Sequence, residues 1–110
     1  MNKLTLTELN NIYPLGENRI GKPIFIDFYA DWWGPCKMFE QVLNKVTPEY
    51  SDKIQMYKVN IEEEPQLAQK FGARGIPFTV MIRKDGTRES SAGAMDEAKL
   101  KYWFEGLILS

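Results

Sequence analysis

Two residue types that commonly take part in catalysis and metal binding are scarce, since the chain has no histidine and a single cysteine, Cys36. Without histidine, the Ser–His and Cys–His pairs that activate a nucleophile are excluded, and zinc and haem sites lack their usual nitrogen ligand. One cysteine cannot form a disulfide within the chain, which is compatible with a reducing compartment. Because residues 1–15 contain no continuous apolar stretch long enough for a signal-peptide core, we expect a cytoplasmic protein.

An excess of charge of either sign is also missing, since 14 basic and 15 acidic residues give a net charge of −1. This balance gives no reason to expect binding to nucleic acid or to an anionic membrane, and no apolar run approaches the length of a membrane span. The 110 residues, of which 44% are hydrophobic and 26% charged, are typical of one globular domain. We therefore expect a single domain over residues 1–110. We also expect the chain to be a monomer.

The most informative stretch is Trp32-Trp33-Gly34-Pro35-Cys36, which lies between two segments of clear pattern. The preceding run, Ile24–Tyr29, is apolar except for Asp27 and predicts a buried strand. The following segment predicts a helix, because its apolar residues recur at helical spacing: Met38, Phe39, Val42, Leu43 and Val46. Pro35 suits the first turn of that helix, where its missing N–H costs nothing. The loop therefore presents its side chains at a helix N-terminus, the positive end of the helix dipole.

The remaining pattern predicts an alternation of helices and strands. Only Lys3–Leu6 is available for a first strand, which we expect to be short or absent, and Leu15–Pro23 is a predicted loop. The other predicted elements are a helix at Thr7–Ile12, the helix from about Trp33 to Thr47, a strand at Ile54–Ile61, a helix at Pro65–Phe71, strands at Phe78–Ile82 and Thr87–Ser91 joined by a turn at Lys84–Gly86, and a final helix capped by Asp96. This order favours an α/β fold, with a mixed central sheet and helices on both faces.

The loop and the order of elements together resemble the thioredoxin family over nearly the whole chain. The segment Ala30-Asp31-Trp32-Trp33-Gly34-Pro35-Cys36-Lys37 is similar to the thioredoxin active-site loop, in which two cysteines flank a Gly-Pro pair. In that family the first cysteine is the exposed nucleophile and the second is the buried resolving thiol. Cys36 matches the second position, whereas Trp33 stands at the first. The resemblance implies a thioredoxin fold, protein disulfides as substrates and a thioredoxin reductase as electron donor.

Two charged residues match family positions that serve the second thiol. The resemblance implies that Asp27 is a buried proton acceptor for that thiol and that Lys58 accompanies it in this role. The alternative for Asp27 is a core acid without a catalytic role, satisfied by a hydroxyl, a water molecule or Lys58. An unpaired carboxylate in an apolar strand is costly, so burial is expected to raise the pKa of Asp27.

A second loop, Arg74-Gly75-Ile76-Pro77, resembles the one that faces the thioredoxin active site. The resemblance implies a cis Ile76–Pro77 peptide bond and a backbone before the proline, at Gly75 and Ile76, that pairs with an extended substrate. A plain turn proline is the alternative. Gly93 matches a glycine beside the substrate groove, with a simple turn glycine as the alternative. The other residues that the resemblance assigns to the substrate surface are Trp32, Gly34 and Pro35.

The predicted activity depends on the thiol that is missing at position 33. Trp33 cannot attack a disulfide, and a free thiol with a pKa of ~8.5 is only ~3% thiolate at pH 7. Burial and a nearby Asp27 carboxylate would reduce that fraction further for Cys36, and no second thiol is present to resolve an adduct. We therefore predict an inactive or nearly inactive active-site variant. Two origins are compatible with this: a variant of a working thioredoxin, which we favour because only the nucleophile departs, and a member that has given up redox chemistry.

Two other functions are compatible with the same residues. A redox-inactive binding module would use the Trp32–Trp33/Pro77 surface, since adjacent exposed aromatic residues commonly mark protein contacts. Trp33 could instead fold onto Trp32 or Pro77 and block the groove. An iron–sulfur site shared between two chains would have at most two cysteine ligands, fewer than the four that such clusters use. We therefore predict neither a metal nor a cofactor.

Overall fold

The computed structural model describes all 110 residues of the chain. Its elements follow one another as β1 (Asn2–Lys3), α1 (Leu6–Ile12), β2 (Ile24–Tyr29), α2 (Gly34–Val46), β3 (Gln55–Asn60), α3 (Pro65–Phe71), β4 (Phe78–Ile82), β5 (Arg88–Ala92) and α4 (Glu97–Leu109). Short 3-10 turns follow α1 at Pro14–Gly16 and α2 at Thr47–Glu49. None of the helices combines the length and the apolar character needed to cross a lipid bilayer.

The strands form one mixed sheet in the order β1-β3-β2-β4-β5. Strands β1 and β2 run parallel to β3, whereas β4 runs antiparallel to β2 and β5 antiparallel to β4. Strand β2 therefore lies in the middle of the sheet, and its residues Ile24–Phe28 are all buried. A strand that is covered on both faces consists of a nearly continuous apolar run, which explains the composition of this segment.

A separate apolar core lies on each face of the sheet, because successive side chains of a strand point to opposite faces. Ile26 and Phe28 pack in the core that includes residues of α1 and α3, whereas Phe25 packs in the core that includes residues of α2 and α4. In the second core the rings of Phe25 and Phe104 meet edge to face, with their centroids 5.0 Å apart. Asp27 shares the face of Phe25, so the same alternation directs its carboxylate toward α2.

The observed architecture confirms the predicted α/β fold, with a mixed sheet and helices on both faces. Two helix ends also follow their sequence signals: Asp96 accepts a hydrogen bond of 2.8 Å from the N–H of Lys99, and α3 ends at Gly72 with a positive φ of 71°. The first strand is short, but it lies at Asn2–Lys3 rather than at Lys3–Leu6. So short a strand is defined by its pairing with β3 and leaves no periodicity in the sequence.

Candidate active site

The loop after β2 ends in a tryptophan that caps the N-terminus of helix α2. Trp33 is the N-cap residue, with an extended backbone at φ −93° and ψ 118°. Its carbonyl accepts the N–H groups of Cys36 and Lys37 at 3.1 and 3.2 Å, which forms the first turn of the helix. Pro35 lies within that turn, as predicted. Trp33 therefore occupies the positive end of α2, where unpaired N–H groups favour negative charge.

The single thiol lies in the first turn of the helix and is largely covered. Only 5% of the Cys36 surface is exposed. Burial is the main reason that the pKa of the Cys36 thiol is raised, and the charge of Asp27 raises it further, while a hydrogen bond with the backbone of Ala30 opposes both effects. These are the two causes that the sequence predicted. A covered thiol with a raised pKa is a weak nucleophile near neutral pH.

The loop at Trp33 and the loop at Pro77 meet directly. The indole N–H of Trp33 donates a hydrogen bond of 3.0 Å to the carbonyl oxygen of Ile76, and the Ile76–Pro77 peptide bond is cis. Trp33 keeps 41% of its surface exposed while it makes this contact. The structure thus brings together residues that are 43 positions apart in the chain.

A second tryptophan holds the other side of the loop. The indole N–H of Trp32 donates a hydrogen bond of 2.9 Å to Oε1 of Glu62, and 63% of its surface is exposed. The rings of Trp32 and Trp33 meet edge to face, with centroids 5.8 Å apart and planes at 70°. Such aromatic pairs contribute about 0.5–1.5 kcal/mol beyond their burial. Trp33 therefore rests on Trp32 and on the loop at Pro77 at the same time.

Beneath the loop, Asp27 and Lys58 face a small polar cavity of about 170 Å³ that Cys36 and Glu40 also line. Asp27 is 6% exposed, and its Oδ1 atom has no hydrogen-bond partner. Its pKa is raised to about 7, first because of burial and then because of the charge of Glu40, while Lys58 lowers it. Neither a hydroxyl nor the Lys58 ammonium bonds to Oδ1, so no protein group satisfies that atom.

Two of the predicted substrate residues, Pro77 and Gly93, are in contact through their backbones. The N–H of Gly93 donates a hydrogen bond of 2.8 Å to the carbonyl of Pro77, which places Gly93 beside the proline. Pro77 itself is buried. The exposed residues of this surface are Gly34, Pro35 and Gly75. The recorded contacts join Trp33 to Ile76 and Gly93 to Pro77, and one cavity joins Asp27, Lys58 and Cys36.

One organising residue was missed at the sequence level. Asn60 is 6% exposed at the end of β3. Its Oδ1 accepts the N–H groups of Glu62 and Glu63 at 2.9 and 3.4 Å, and its Nδ2 donates to Asp31 at 3.3 Å. Asn60 thereby joins the loop of Asp31–Trp33 to the turn that carries Glu62, the acceptor for Trp32. An asparagine at the end of a strand is a known signal for such side-chain turns.

Comparison with known proteins agrees with this geometry. A family model described as Thioredoxin matches residues 17–106. The thioredoxin of Pseudomonas aeruginosa is 39% identical over 87 residues, which cover 78% of this chain and 80% of that protein. The thioredoxin of Acidithiobacillus ferridurans is 35% identical over 87 residues, which cover 79% of this chain and 81% of that protein.

A solved structure extends the similarity to three dimensions. The crystal structure of Malassezia sympodialis thioredoxin superimposes with a TM-score of 0.78 at 31% identity, and the match covers 94% of this chain and 88% of that one. The matched family region includes the loop at Trp33, the single thiol and the cis-proline loop. The chain therefore belongs to the thioredoxin family.

Proposed function

We propose that this chain is a thioredoxin-type protein-disulfide oxidoreductase whose own turnover is lost or nearly lost. The observation that carries the proposal is the position of Trp33, whose indole lies at the N-terminus of α2 while the only thiol, Cys36, is covered in the first turn. The resemblance assigns the attacking cysteine to the position of Trp33. The residue types and their placement thus leave the reaction without its first reagent.

Disulfide reduction by this family needs two thiols in succession. A thiolate attacks one sulfur of the substrate disulfide, so that the substrate S–S bond breaks, a mixed disulfide forms and one substrate thiolate leaves. The second thiol of the enzyme then attacks the mixed disulfide and releases the other substrate thiol. The enzyme ends with an intrachain disulfide, and a reductase must supply two electrons to reset it. Since the nitrogen lone pair of an indole is part of its aromatic system, Trp33 cannot replace the first thiolate.

Cys36 cannot take over both steps. Its burial and its raised pKa reduce the reactive thiolate. Any mixed disulfide that it did form would have no second thiol in the chain to resolve it. Turnover would then depend on an external thiol. The low thiolate fraction of Cys36 and the lack of a resolving thiol therefore each reduce the rate of disulfide reduction.

The residues that would support dithiol chemistry still surround position 33, where tryptophan replaces the first cysteine. Asp27 lies under Cys36 in the shared cavity, where a carboxylate with a pKa of about 7 can accept a thiol proton. The cis-proline loop lies opposite Trp33. This arrangement favours a variant of a working oxidoreductase over a protein that has lost the site. We keep a thioredoxin reductase as the electron donor, the cytoplasm as the location and the monomer as the solution state as parts of the proposal.

The decisive experiment restores the sulfur. Trp33→Cys is expected to reduce insulin disulfides, with turnover in the presence of NADPH and a thioredoxin reductase, whereas the parent chain shows at most trace activity. Trp33→Ser is the matched control, because it removes the indole without adding a thiol and should stay inactive. Near-normal reduction by the parent chain would overturn the proposal, and so would a folded but inactive Trp33→Cys variant.

A second candidate, a redox-inactive binding module, is favoured by the exposed fractions of the aromatic pair, 63% for Trp32 and 41% for Trp33. Burial of such rings against a partner contributes a few kcal/mol. In this case a peptide would bind equally well after Cys36→Ser, which removes the thiol. The same peptide would bind more weakly after Trp33→Ala, because the variant loses an aromatic anchor.

A further inference from the structure

The segment that faces Trp33, just before Pro77, contains backbone groups that have no partner inside the protein. The N–H and C=O groups of Gly75 and the N–H of Ile76 form no hydrogen bond within the chain. Gly75 is exposed and Ile76 is partly exposed. Because Ile76 precedes a proline, it is restricted to extended conformations. Unpaired groups in an extended segment are a template for pairing with a second extended chain.

One backbone group of the Gly75–Ile76 segment already has a hydrogen-bond partner within the chain. The carbonyl of Ile76 accepts the indole N–H of Trp33 at 3.0 Å. Trp32 supports that ring edge to face and is itself anchored on Glu62. The Trp33 ring therefore spans from the N-terminus of α2 to the segment on which an incoming chain would lie.

We propose that Trp33 is an intramolecular gate over Gly75–Ile76, which an extended polypeptide must displace before it can pair with this segment. When the indole leaves, a backbone N–H of the partner replaces it on the Ile76 carbonyl, and a partner carbonyl accepts the free N–H of Ile76. Trp32 stays anchored on Glu62 and offers its exposed ring to the bound chain. The inference rests on the proposed function, because it takes Gly75–Ile76 to be a segment that still receives protein chains.

Two substitutions separate the hydrogen bond of the gate from its aromatic surface. Trp33→Phe keeps a ring that can pack on Trp32 but removes the N–H donor, and Trp33→Ala removes both. The probe is the S-carboxymethylated B chain of insulin, a linear polypeptide without a free thiol, labelled for fluorescence anisotropy. Loss of one neutral hydrogen bond that competes with binding should tighten the affinity about fivefold in Trp33→Phe. Trp33→Ala should bind at least as tightly as Trp33→Phe, and the control Trp103→Phe, in α4, should match the parent chain.

Hydrogen exchange of the Trp33 indole N–H gives a second readout by NMR. The free protein should protect this proton relative to free tryptophan, and saturation with the B chain should remove the protection. Unchanged or weaker binding by Trp33→Phe overturns the gate, as does an indole proton that stays protected in the complex. Weaker binding by Trp33→Ala identifies the ring as an anchor, and the absence of binding by every variant shows that the segment is not a peptide template. Both of these results contradict the gate.

The gate and the proposed oxidoreductase can fail separately. If Trp33→Cys reduces insulin while Trp33→Phe leaves the affinity for the B chain unchanged, only the gate is wrong. If Trp33→Phe tightens binding and the indole proton is released, but Trp33→Cys stays inactive, the gate stands and the oxidoreductase proposal is wrong.

Discussion

Asp27 and Lys58 are direct neighbours in the parallel ladder between β2 and β3, yet no ion pair joins them. The ammonium of Lys58 instead lies 5.8 Å from the centroid of the Tyr29 ring. Lys58 lowers the pKa of Asp27, but burial and the charge of Glu40 outweigh it and leave the pKa at about 7. The site therefore contains a buried carboxyl group that changes its charge close to neutral pH.

The Asp27→Asn variant is expected to gain stability relative to the parent chain as the pH rises. The folded-state pKa of about 7 lies above the ordinary value of 3.8. Ionisation of the buried carboxyl group therefore lowers the free energy of unfolding of the parent chain as the pH rises from 3.8 to about 7. Above that range this group causes no further loss. The advantage of the Asn variant should grow by up to about 4 kcal/mol across this window.

Urea unfolding of both chains at about pH 4 and about pH 8 measures this difference. Asp52→Asn, at an exposed position, is the matched control and should show no comparable growth. An Asp27→Asn effect of the same size at both pH values would contradict the assignment of a raised pKa.

Cys36 is expected to react slowly with iodoacetamide in the folded chain. Burial raises the pKa of its thiol and also blocks access, so alkylation at about pH 8 should be at least about tenfold slower than in guanidinium chloride. Mass spectrometry of timed samples follows the reaction. Asp27→Asn should speed the native reaction, because the charge of Asp27 is one cause of the raised pKa. Equal rates in the folded and unfolded chains would refute the covered thiol.

Asn60→Ala is expected to destabilise the fold by about 1–2 kcal/mol, because it leaves the N–H of Glu62 without its acceptor and removes the hydrogen bond to Asp31. It should also loosen Trp32, whose indole is bound to Glu62. Urea unfolding gives the free energy, and the fluorescence of the tryptophans in the folded state reports on the loop. Asn44→Ala, at an exposed position on α2, should cost less than about 0.5 kcal/mol. A similar effect at both positions would show that the contacts of Asn60 are unimportant.

Gly86→Ala should destabilise the chain far more than Gly93→Ala, although both glycines have a positive φ, at 91° and 94°. A Cβ at Gly86 would collide with the backbone carbonyl of Gly16, whereas a Cβ at Gly93 would meet no atom within 4 Å. We expect a loss of about 1–2 kcal/mol at Gly93 from backbone strain alone and at least about 3 kcal/mol at Gly86. Thermal and urea unfolding compare the two variants, and equal losses would contradict the close packing at Gly86.

Local signals in the sequence located most of the elements. Helix α3 lies at Pro65–Phe71 as predicted, because a proline suits its first turn and Gly72 suits the residue after its end. The predicted strand at Thr87–Ser91 is shifted by one residue, to Arg88–Ala92. Its residues are mostly exposed, so no clear alternation marks its ends, and its register is fixed by pairing with β4.

The sequence by itself determined the family, the order of the helices and strands, and the presence of a single cysteine with a tryptophan at position 33, because these depend on residue identity and on spacing along the chain. Only the tertiary structure decided that the indole of Trp33 binds the carbonyl of Ile76, that Asn60 joins two loops and that Asp27 has no partner for Oδ1. These are contacts between segments that are distant in the chain. Their distances depend on how the sheet brings the loops together, and residue spacing alone does not encode that geometry.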